Sequence, residues 1–341
     1  MKSVSDARGI IRPEESTIHR PEALRPAHLD SSIWPRWHLL IALFVASSAV
    51  SCARRADPAP PMPVQLAPFE FLGAWGDKGN EPGKLNTPVA FTADSMGRLF
   101  FADPGSRFVH KFESSGTPLL SFEDYRLIHA SGIAVDSGGA IYVADTERGN
   151  VLIFFPDGTF LRSIRIAPQR HVSAPIGISV DDQGNLYVPD PVGSRIVKFD
   201  ARGRLAKSWK VPQNAASPDE RPAAVVATQG GTAFVAYPKT GRIEKYSSDG
   251  SWITSWNTAG SDVPTTGMLT GLAVGGQYVF TFSATPPRIR VWTLDGQHKL
   301  DDNLGGYLDS VAAPQIAVTP SAELLVLDTA SPRVYRFRIH L

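Results

Sequence analysis

Apolar and polar residues alternate in short runs along most of the chain. Residues 132–145 read GIAVDSGGAIYVAD, and residues 177–190 repeat the pattern as GISVDDQGNLYVPD. Each copy holds an apolar run, a glycine-containing turn and a second apolar run. Alternation with a period of two, bounded by turn residues, is typical of β-strands rather than helices. The pattern therefore predicts β-hairpins.

The same pattern occurs six times. The other copies are AFTADSMGRLFFAD at 90–103, AVVATQGGTAFVAY at 224–237, GLAVGGQYVFTFS at 271–283 and QIAVTPSAELLVLD at 315–328. The residues that close the copies are 42 to 47 positions apart: Asp103, Asp145, Asp190, Tyr237, Ser283 and Asp328. A fixed period of this length indicates a repeat architecture.

Two further apolar runs follow each hairpin, with Asp-Gly turns at residues 157–158, 249–250 and 295–296. Four antiparallel strands in ~45 residues correspond to one propeller blade, so six copies predict an all-β, six-bladed β-propeller. The sixth copy ends after its third strand, whereas an extra strand, FEFLGAWG (69–76), precedes the first copy. We expect this N-terminal strand to complete the last blade, which would close the ring and leave no exposed edge.

The residues that carry the repeat resemble a known family. FLGAWGDKGNEPGKLNTP, followed by GIAVDSGGAIYVAD, is similar to the NHL-repeat propellers, and the resemblance covers residues 69–341. It implies a six-bladed propeller. It implies little about function, because one fold can serve as a scaffold, a receptor or an enzyme.

The first 51 residues are typical of a signal peptide with a long leader. Leu39–Val50 is an apolar stretch of twelve residues, too short for a membrane span, which needs ~20, but suited to the h-region of a signal. Cys52, the only cysteine, follows it in a context that resembles a bacterial lipobox, although Ala49 replaces the usual Leu. We expect Cys52 to be lipidated; the alternatives are an incidental cysteine or a buried core helix.

The predicted mature protein has three properties that bear on its partners. Residues 52–68 are Pro-rich and predict an extended tether after the lipidated cysteine. Residues 52–341 carry 28 basic and 28 acidic side chains, so no strong field would recruit nucleic acid. We expect a monomer at the cell envelope, exported and held on the membrane by its lipid; in a Gram-negative cell it would lie at the outer membrane or face the periplasm.

Four of the acidic residues that close a copy are followed, four or five positions later, by Arg or Asn. The pairs are Asp103/Arg107, Asp145/Asn150, Asp190/Arg195 and Asp328/Arg333. A carboxylate at the end of one strand can bind the side chain that opens the next strand. We therefore interpret these pairs as loop locks rather than as acid–base catalysts, since a catalytic group is usually needed only once.

Blades four and five depart from this pattern. Tyr237 and Ser283 replace the acid, while Arg242 and Arg288 remain and Lys239 adds a positive charge. A guanidinium without a fixed partner can bind an anionic group through its planar fork. The sequence predicts that Arg242, Arg288, Lys239 and Tyr237 bind an anionic ligand or partner, unless the arginines stack on Tyr237 or face water.

No cofactor or metal site is predicted. Peptide-amidating lyases of this fold carry zinc-binding histidines just before inner strands. The matching positions here hold none: Val89, Ser131, Ile176, Ala223, Thr270 and Pro314. His129 and His171 are offset from them, and two histidines fall short of the three protein ligands of catalytic zinc. The acidic and amide set of calcium-dependent gluconolactonase-type propellers cannot be assembled either.

We therefore expect a non-catalytic module that binds a protein or an anionic small ligand. As in NHL propellers generally, the docking surface would be the face that carries the loops between second and third strands. Two alternatives remain open at this point. One is an enzyme with lyase or lactonase-like activity in the central channel. The other is a purely structural envelope protein.

Overall fold

The computed structural model describes residues 67–166, 177–211, 220–258, 269–284, 286–308, 311 and 314–341. The chain divides into two compact units, Met1–Met62 and Pro63–Leu341, and all described residues belong to the second. The predicted signal peptide and the lipidated Cys52 lie outside the described residues and stay predictions. Within these residues, no helix has the length and apolar content needed to cross a bilayer.

The described strands form six four-stranded antiparallel sheets, as the sequence predicts. Blade one contains β2 (Ala90–Ala93), β3 (Leu99–Asp103), β4 (Phe108–Phe112) and β5 (Pro118–Phe122). Blade two contains β6 (Ala130–Val135), β7 (Ile141–Asp145), β8 (Asn150–Phe154) and β9 (Phe160–Arg165). Blade three contains β10 (Ser179–Val180), β11 (Leu186–Asp190), β12 (Arg195–Phe199) and β13 (Leu205–Lys210).

The other three blades follow the same order. Blade four contains β14 (Ala224–Ala227), β15 (Ala233–Tyr237), β16 (Arg242–Tyr246) and β17 (Trp252–Asn257). Blade five contains β18 (Leu269–Gly275), β19 (Tyr278–Ala284), β20 (Pro287–Thr293) and β21 (His298–Asp302). Blade six contains β22 (Gln315–Val318), β23 (Glu323–Asp328), β24 (Arg333–Ile339) and the N-terminal β1 (Phe69–Trp75); a short 3-10 helix covers Leu304–Gly306.

The N-terminal strand closes the ring. β1 pairs antiparallel with β24, from Phe69 opposite Ile339 to Trp75 opposite Val334. The order in this sheet is β1-β24-β23-β22, so β1 is the fourth strand of blade six. The predicted closure is therefore confirmed.

The hydrophobic core lies between neighbouring blades. Successive side chains of a strand point to opposite faces, so each blade contributes to two boundaries. In β16, Ile243 packs towards blade five, whereas Tyr246 packs towards blade three. Second strands such as Ile141–Asp145 are buried on both faces, which explains their nearly continuous apolar sequences.

One contact recurs between neighbouring blades. An aromatic side chain on a fourth strand covers the glycine turn between the third and fourth strands of the next blade. Cβ atoms placed on Gly116, Gly250 and Gly296 would lie 2.5 to 2.7 Å from the rings of Trp75, Trp209 and Trp256, respectively. All three glycines have a positive φ. These tryptophans therefore pack between neighbouring blades, and β1 makes the same contact as an ordinary fourth strand.

Blade one encloses a histidine. The His110 side chain is completely buried, with its Nδ1 2.8 Å from Ser121 Oγ and its Nε2 3.2 Å from Ser106 Oγ. Burial lowers the pKa of His110 from 6.5 to about 4, although nearby Asp103 opposes the shift. The ring is therefore neutral in the folded protein at neutral pH.

This burial predicts how stability depends on pH. Because the unfolded chain binds the His110 proton more tightly, stability is intact above pH 6.5 and is lost as the pH falls towards 4, by up to about 3 kcal/mol. In a His110→Gln variant, the melting temperature should depend less on pH between these two values than in the wild type. The exposed His129 serves as control, and His129→Gln should keep the wild-type slope. Parallel curves for wild type and His110→Gln would contradict the assignment.

Candidate functional site

The loop face is the side of the ring with two kinds of loop. One joins the second and third strands of a blade, such as residues 104–107, and the other leads into the next blade. Asp103 ties the two together, because its carboxylate accepts the backbone N–H groups of Asn86 at 2.6 Å and Thr87 at 2.9 Å, and of Gly105 at 3.1 Å. The predicted locking role of this aspartate thus rests on backbone amides.

Asp145 binds its surroundings in the same way. It accepts the N–H of Ile128 at 2.9 Å from the loop that leads into blade two. It also accepts the N–H of Glu147 at 3.0 Å from its own loop. Backbone donors thus satisfy both carboxylates, and each aspartate links two loops of its own blade.

The predicted pairing with a following cation holds in blade three but not in blade one. Asp190 lies opposite Arg195 in register, and their Oδ2 and Nε atoms are 2.9 Å apart. In blade one, however, the residue opposite Asp103 is Phe108. Arg107 instead has a positive φ of 68°, and its exposed guanidinium lies 3.8 Å from Glu123. The predicted Asp103/Arg107 pair is therefore wrong.

Blade four replaces its missing aspartate with glutamates. Arg242 Nη2 lies 3.0 Å from Glu220 Oε2, and its Nη1 lies 2.6 Å from Glu244 Oε1. The guanidinium also lies over the Tyr237 ring, 4.1 Å from its centroid. Arg242 thus has two fixed carboxylate partners, contrary to the premise that it is free. Stacking on Tyr237, the alternative considered above, is present.

Tyr237 belongs to the same buried network. Its hydroxyl and that of Tyr246 each donate to Glu244 Oε2 at 2.6 Å. Burial, reinforced by the negative charge of Glu244, raises the pKa of Tyr237. Its side chain is completely buried, so Tyr237 cannot touch a partner, whereas Lys239 is exposed.

Blade five has a more open arrangement. Arg288 Nη1 lies 3.5 Å from Asp301 Oδ2 and Arg290 Nε lies 3.3 Å from the same oxygen. His298 Nε2 lies 2.7 Å from the other oxygen of Asp301. One carboxylate therefore serves two guanidinium groups and an imidazole.

Arg242 and Arg288 do not share a site in the structure. Arg242 lies on the face of β16 that packs against blade three, as Tyr246 does. Arg288 lies on the face of β20 that packs against blade four, as Trp292 does. The two guanidinium groups therefore belong to different blade boundaries, and the predicted ligand role of each stays a prediction.

A cleft of about 320 Å³ opens on the loop face between blades one and two. Phe108, Leu127 and Ala130 give it apolar lining, and Arg107 and Glu123 give it charge. At its edge, the Tyr125 side chain is 79% exposed. Sequence reasoning missed this cleft, since most of these residues lie in a loop between repeats, where no motif fixes their position.

The described residues hold no group of three or more His, Cys, Asp or Glu side chains placed to share a metal ion. The exposed His129 lies in the loop that leads into blade two, where its backbone N–H points at Asp145 Oδ1, 3.4 Å away. His171 lies outside the described residues.

Comparison with known proteins agrees with this architecture. The NHL repeat family model matches residues 127–154, so the six-bladed β-propeller contains an NHL repeat. The human E3 ubiquitin-protein ligase TRIM32 is 27% identical over 170 residues, which is 46% of this chain and 25% of that protein. The chain thus matches about a quarter of the length of that relative.

Several solved structures superpose on most of the chain. A streptogramin B lyase superposes with a TM-score of 0.56 and 16% identity, over 80% of this chain and 88% of that one. Virginiamycin B lyase from Staphylococcus aureus gives 0.57 and 10%, over 80% and 100%. The RRP9 WD40 repeats give 0.56 and 11%, over 81% and 100%. At such identities the likeness establishes the fold alone.

Proposed function

We propose that the protein is a non-catalytic binding module, exported to the cell envelope and lipid-anchored through Cys52. The signal-like leader and the lipobox-like context of Cys52 support the anchor. The Pro-rich residues 53–68 would span about 50 Å if extended at ~3.1 Å per residue. A spacer of this reach would let the propeller meet partners away from the bilayer surface.

The observation that carries the binding proposal is the cleft between blades one and two. Its volume of about 320 Å³ is at the lower end of the ~300–1,000 Å³ of small-ligand sites. An apolar lining beside a few charged groups suits a side chain or a small molecule. Asp103, one of the acids that line the cleft, accepts backbone N–H groups, so its carboxylate holds the loops in place rather than a ligand.

Arg107 supports a binding role at this cleft. At the corresponding loop position, blades two and four have Gly149 and Gly241 with positive φ, and blade three has Ser194. A side chain in this conformation costs roughly 1–2 kcal/mol, and here it projects a guanidinium beside the cleft. The contact of Arg107 with Glu123 is loose, at 3.8 Å between two largely exposed side chains, so both charges are available to a partner.

The proposal is tested by site-specific photo-crosslinking in intact cells. A photoreactive residue in place of Tyr125 should give an adduct, whereas one in place of Trp252 should give none. Both side chains are exposed, but Trp252 begins the outer strand of blade four, away from the loop face. Arg107→Gly should weaken the Tyr125 adduct without lowering the melting temperature, because glycine fits the positive φ. Equal adducts at both positions would contradict the proposed docking surface.

The same cells test the anchor. The wild-type protein should sediment with membranes after a carbonate wash, whereas Cys52→Ser should appear in the soluble fraction. Ser51→Ala, which keeps the only cysteine, is the matched control and should still sediment. A Cys52→Ser protein that stays with the membrane would show that the anchor is not a lipid on this cysteine.

A further inference from the structure

Blade five lacks the carboxylate that four other blades place at the end of the second strand. Ser283 stands there, opposite Arg288 in register, where blade three has Asp190 opposite Arg195. Blade four also lacks it but compensates through Glu220 and Glu244, which bind Arg242. Blade five therefore differs from all the others.

The groups around Ser283 have spare hydrogen-bonding capacity. Ser283 is only 6% exposed, yet no hydrogen bond joins its hydroxyl to another described residue. Arg288 reaches Asp301 only at 3.5 Å, through a single Nη atom. A guanidinium carries five N–H donors, so most donors of Arg288 are available, and its side chain is 37% exposed.

Arg290 adds a second cation to the same place. It lies two residues further along β20, on the same face as Arg288, and approaches the same oxygen of Asp301 at 3.3 Å through Nε. Arg290 is 8% exposed, which makes its charge costly unless acceptors surround it. One carboxylate therefore faces two guanidinium groups, leaving an excess of positive charge.

We propose that Ser283, Arg288 and Arg290 bind a carboxylate group supplied by a ligand, either a small organic acid or a Glu or Asp side chain of a peptide. The incoming carboxylate takes the position that Asp190 has in blade three. It accepts hydrogen bonds from the Ser283 hydroxyl and the Nη groups of the arginines. This site would give the binding module proposed above a ligand of defined chemistry, a carboxylate. Its biological use rests on that proposed function.

The experiment is a chemical-shift titration of the arginine Nε–H signals in the full-length protein carrying Cys52→Ser. The probes are acetate, a blocked tripeptide Gly-Glu-Gly, its Gly-Gln-Gly counterpart and inorganic phosphate. We expect saturable shifts of the Arg288 and Arg290 signals with acetate and the Glu peptide, and none with the Gln peptide. If acetate binds more tightly than the Glu peptide, the natural ligand is a small acid. If the Glu peptide binds more tightly, the natural ligand is a peptide side chain.

Three variants decide the site. Arg288→Gln should weaken carboxylate binding about 10-fold or more, because it removes a charge-assisted hydrogen bond. Ser283→Asp should abolish binding, because the new side chain supplies the missing carboxylate internally. Arg195→Gln in blade three should leave binding unchanged, since Asp190 already fills that position.

Several results would overturn the assignment: no saturable shift with either carboxylate, binding of phosphate alone, or unchanged binding in Arg288→Gln. The titration uses purified protein, so it does not depend on the envelope role. Carboxylate binding without a Tyr125 adduct in cells would leave this site standing and contradict the proposed docking surface. A Tyr125 adduct in cells without carboxylate binding in the titration would contradict this site alone.

Discussion

A variant that lacks residues 69–76 is expected to aggregate or to melt far below the wild-type protein. The deletion would leave the β24 edge unpaired, and unpaired edges template aggregation. It would also remove Phe71, which stacks on Tyr307 at 4.0 Å, and Trp75 from its turn at Gly116. Removing a buried aromatic side chain costs about 3–5 kcal/mol, and even the lower figure for two partly buried ones is a large part of a typical stability of ~5–15 kcal/mol.

A milder pair of variants separates ring closure from general damage. Trp75→Ala should lower the free energy of unfolding by about 3 kcal/mol. Trp252→Ala, which removes an aromatic ring that is 55% exposed, should cost less than about 1 kcal/mol. Denaturant unfolding measures both. Equal losses, or a deletion variant that melts like its parent, would show that β1 does not hold the ring closed.

Replacing Arg242 by Met is expected to have the second large effect. Glu220 and Glu244 are 5% and 1% exposed, and Arg242 is the cation that lies between them. Removing one partner of a buried ion pair leaves uncompensated charge and costs about 3–5 kcal/mol. The Tyr237 and Tyr246 hydroxyls stay bonded to Glu244 and offset only part of this. Denaturant unfolding should therefore show a strongly destabilised but folded protein.

The register offers a matched control. Arg195 occupies the same position in blade three but pairs with Asp190 alone, and its side chain is 32% exposed. Asp190 is buried but keeps the backbone N–H of Gly193, and only one carboxylate loses its cation, so Arg195→Met should cost clearly less stability than Arg242→Met. If both methionine variants lost the same free energy of unfolding, the network in blade four would contribute no more to stability than the single pair in blade three.

The fold could be predicted from the sequence because each blade repeats the same local sequence pattern. Alternation specifies strands, and the glycine turns specify hairpins. Even the closing strand could be predicted, since Trp75 ends 69–76 in the way that Trp209 and Trp256 end their strands. These signals are local in sequence. Because the ring consists of six similar blades, the same local signals specify all of them.

The side-chain partners were harder to predict. A constant spacing of five residues between facing positions holds in all six blades, and it puts Phe108, not Arg107, opposite Asp103. Glu244 could also have been found, because residues two apart on a strand share a face with Arg242. Glu220 could not, since it lies 22 positions before Arg242, in a loop without repeat register. The cleft beside Tyr125 depends on a similar loop.

The closing strand also determines when the molecule can finish folding. Glu70 and His340 are hydrogen-bonded although 270 positions separate them, so the sheet of blade six brings together the two ends of the propeller sequence. During synthesis, the earlier blades can form hairpins from local contacts, but the ring stays open until β24 has emerged. Contacts of such long sequence separation form slowly. An incomplete chain therefore keeps an unpaired edge, which marks it for chaperones and proteases.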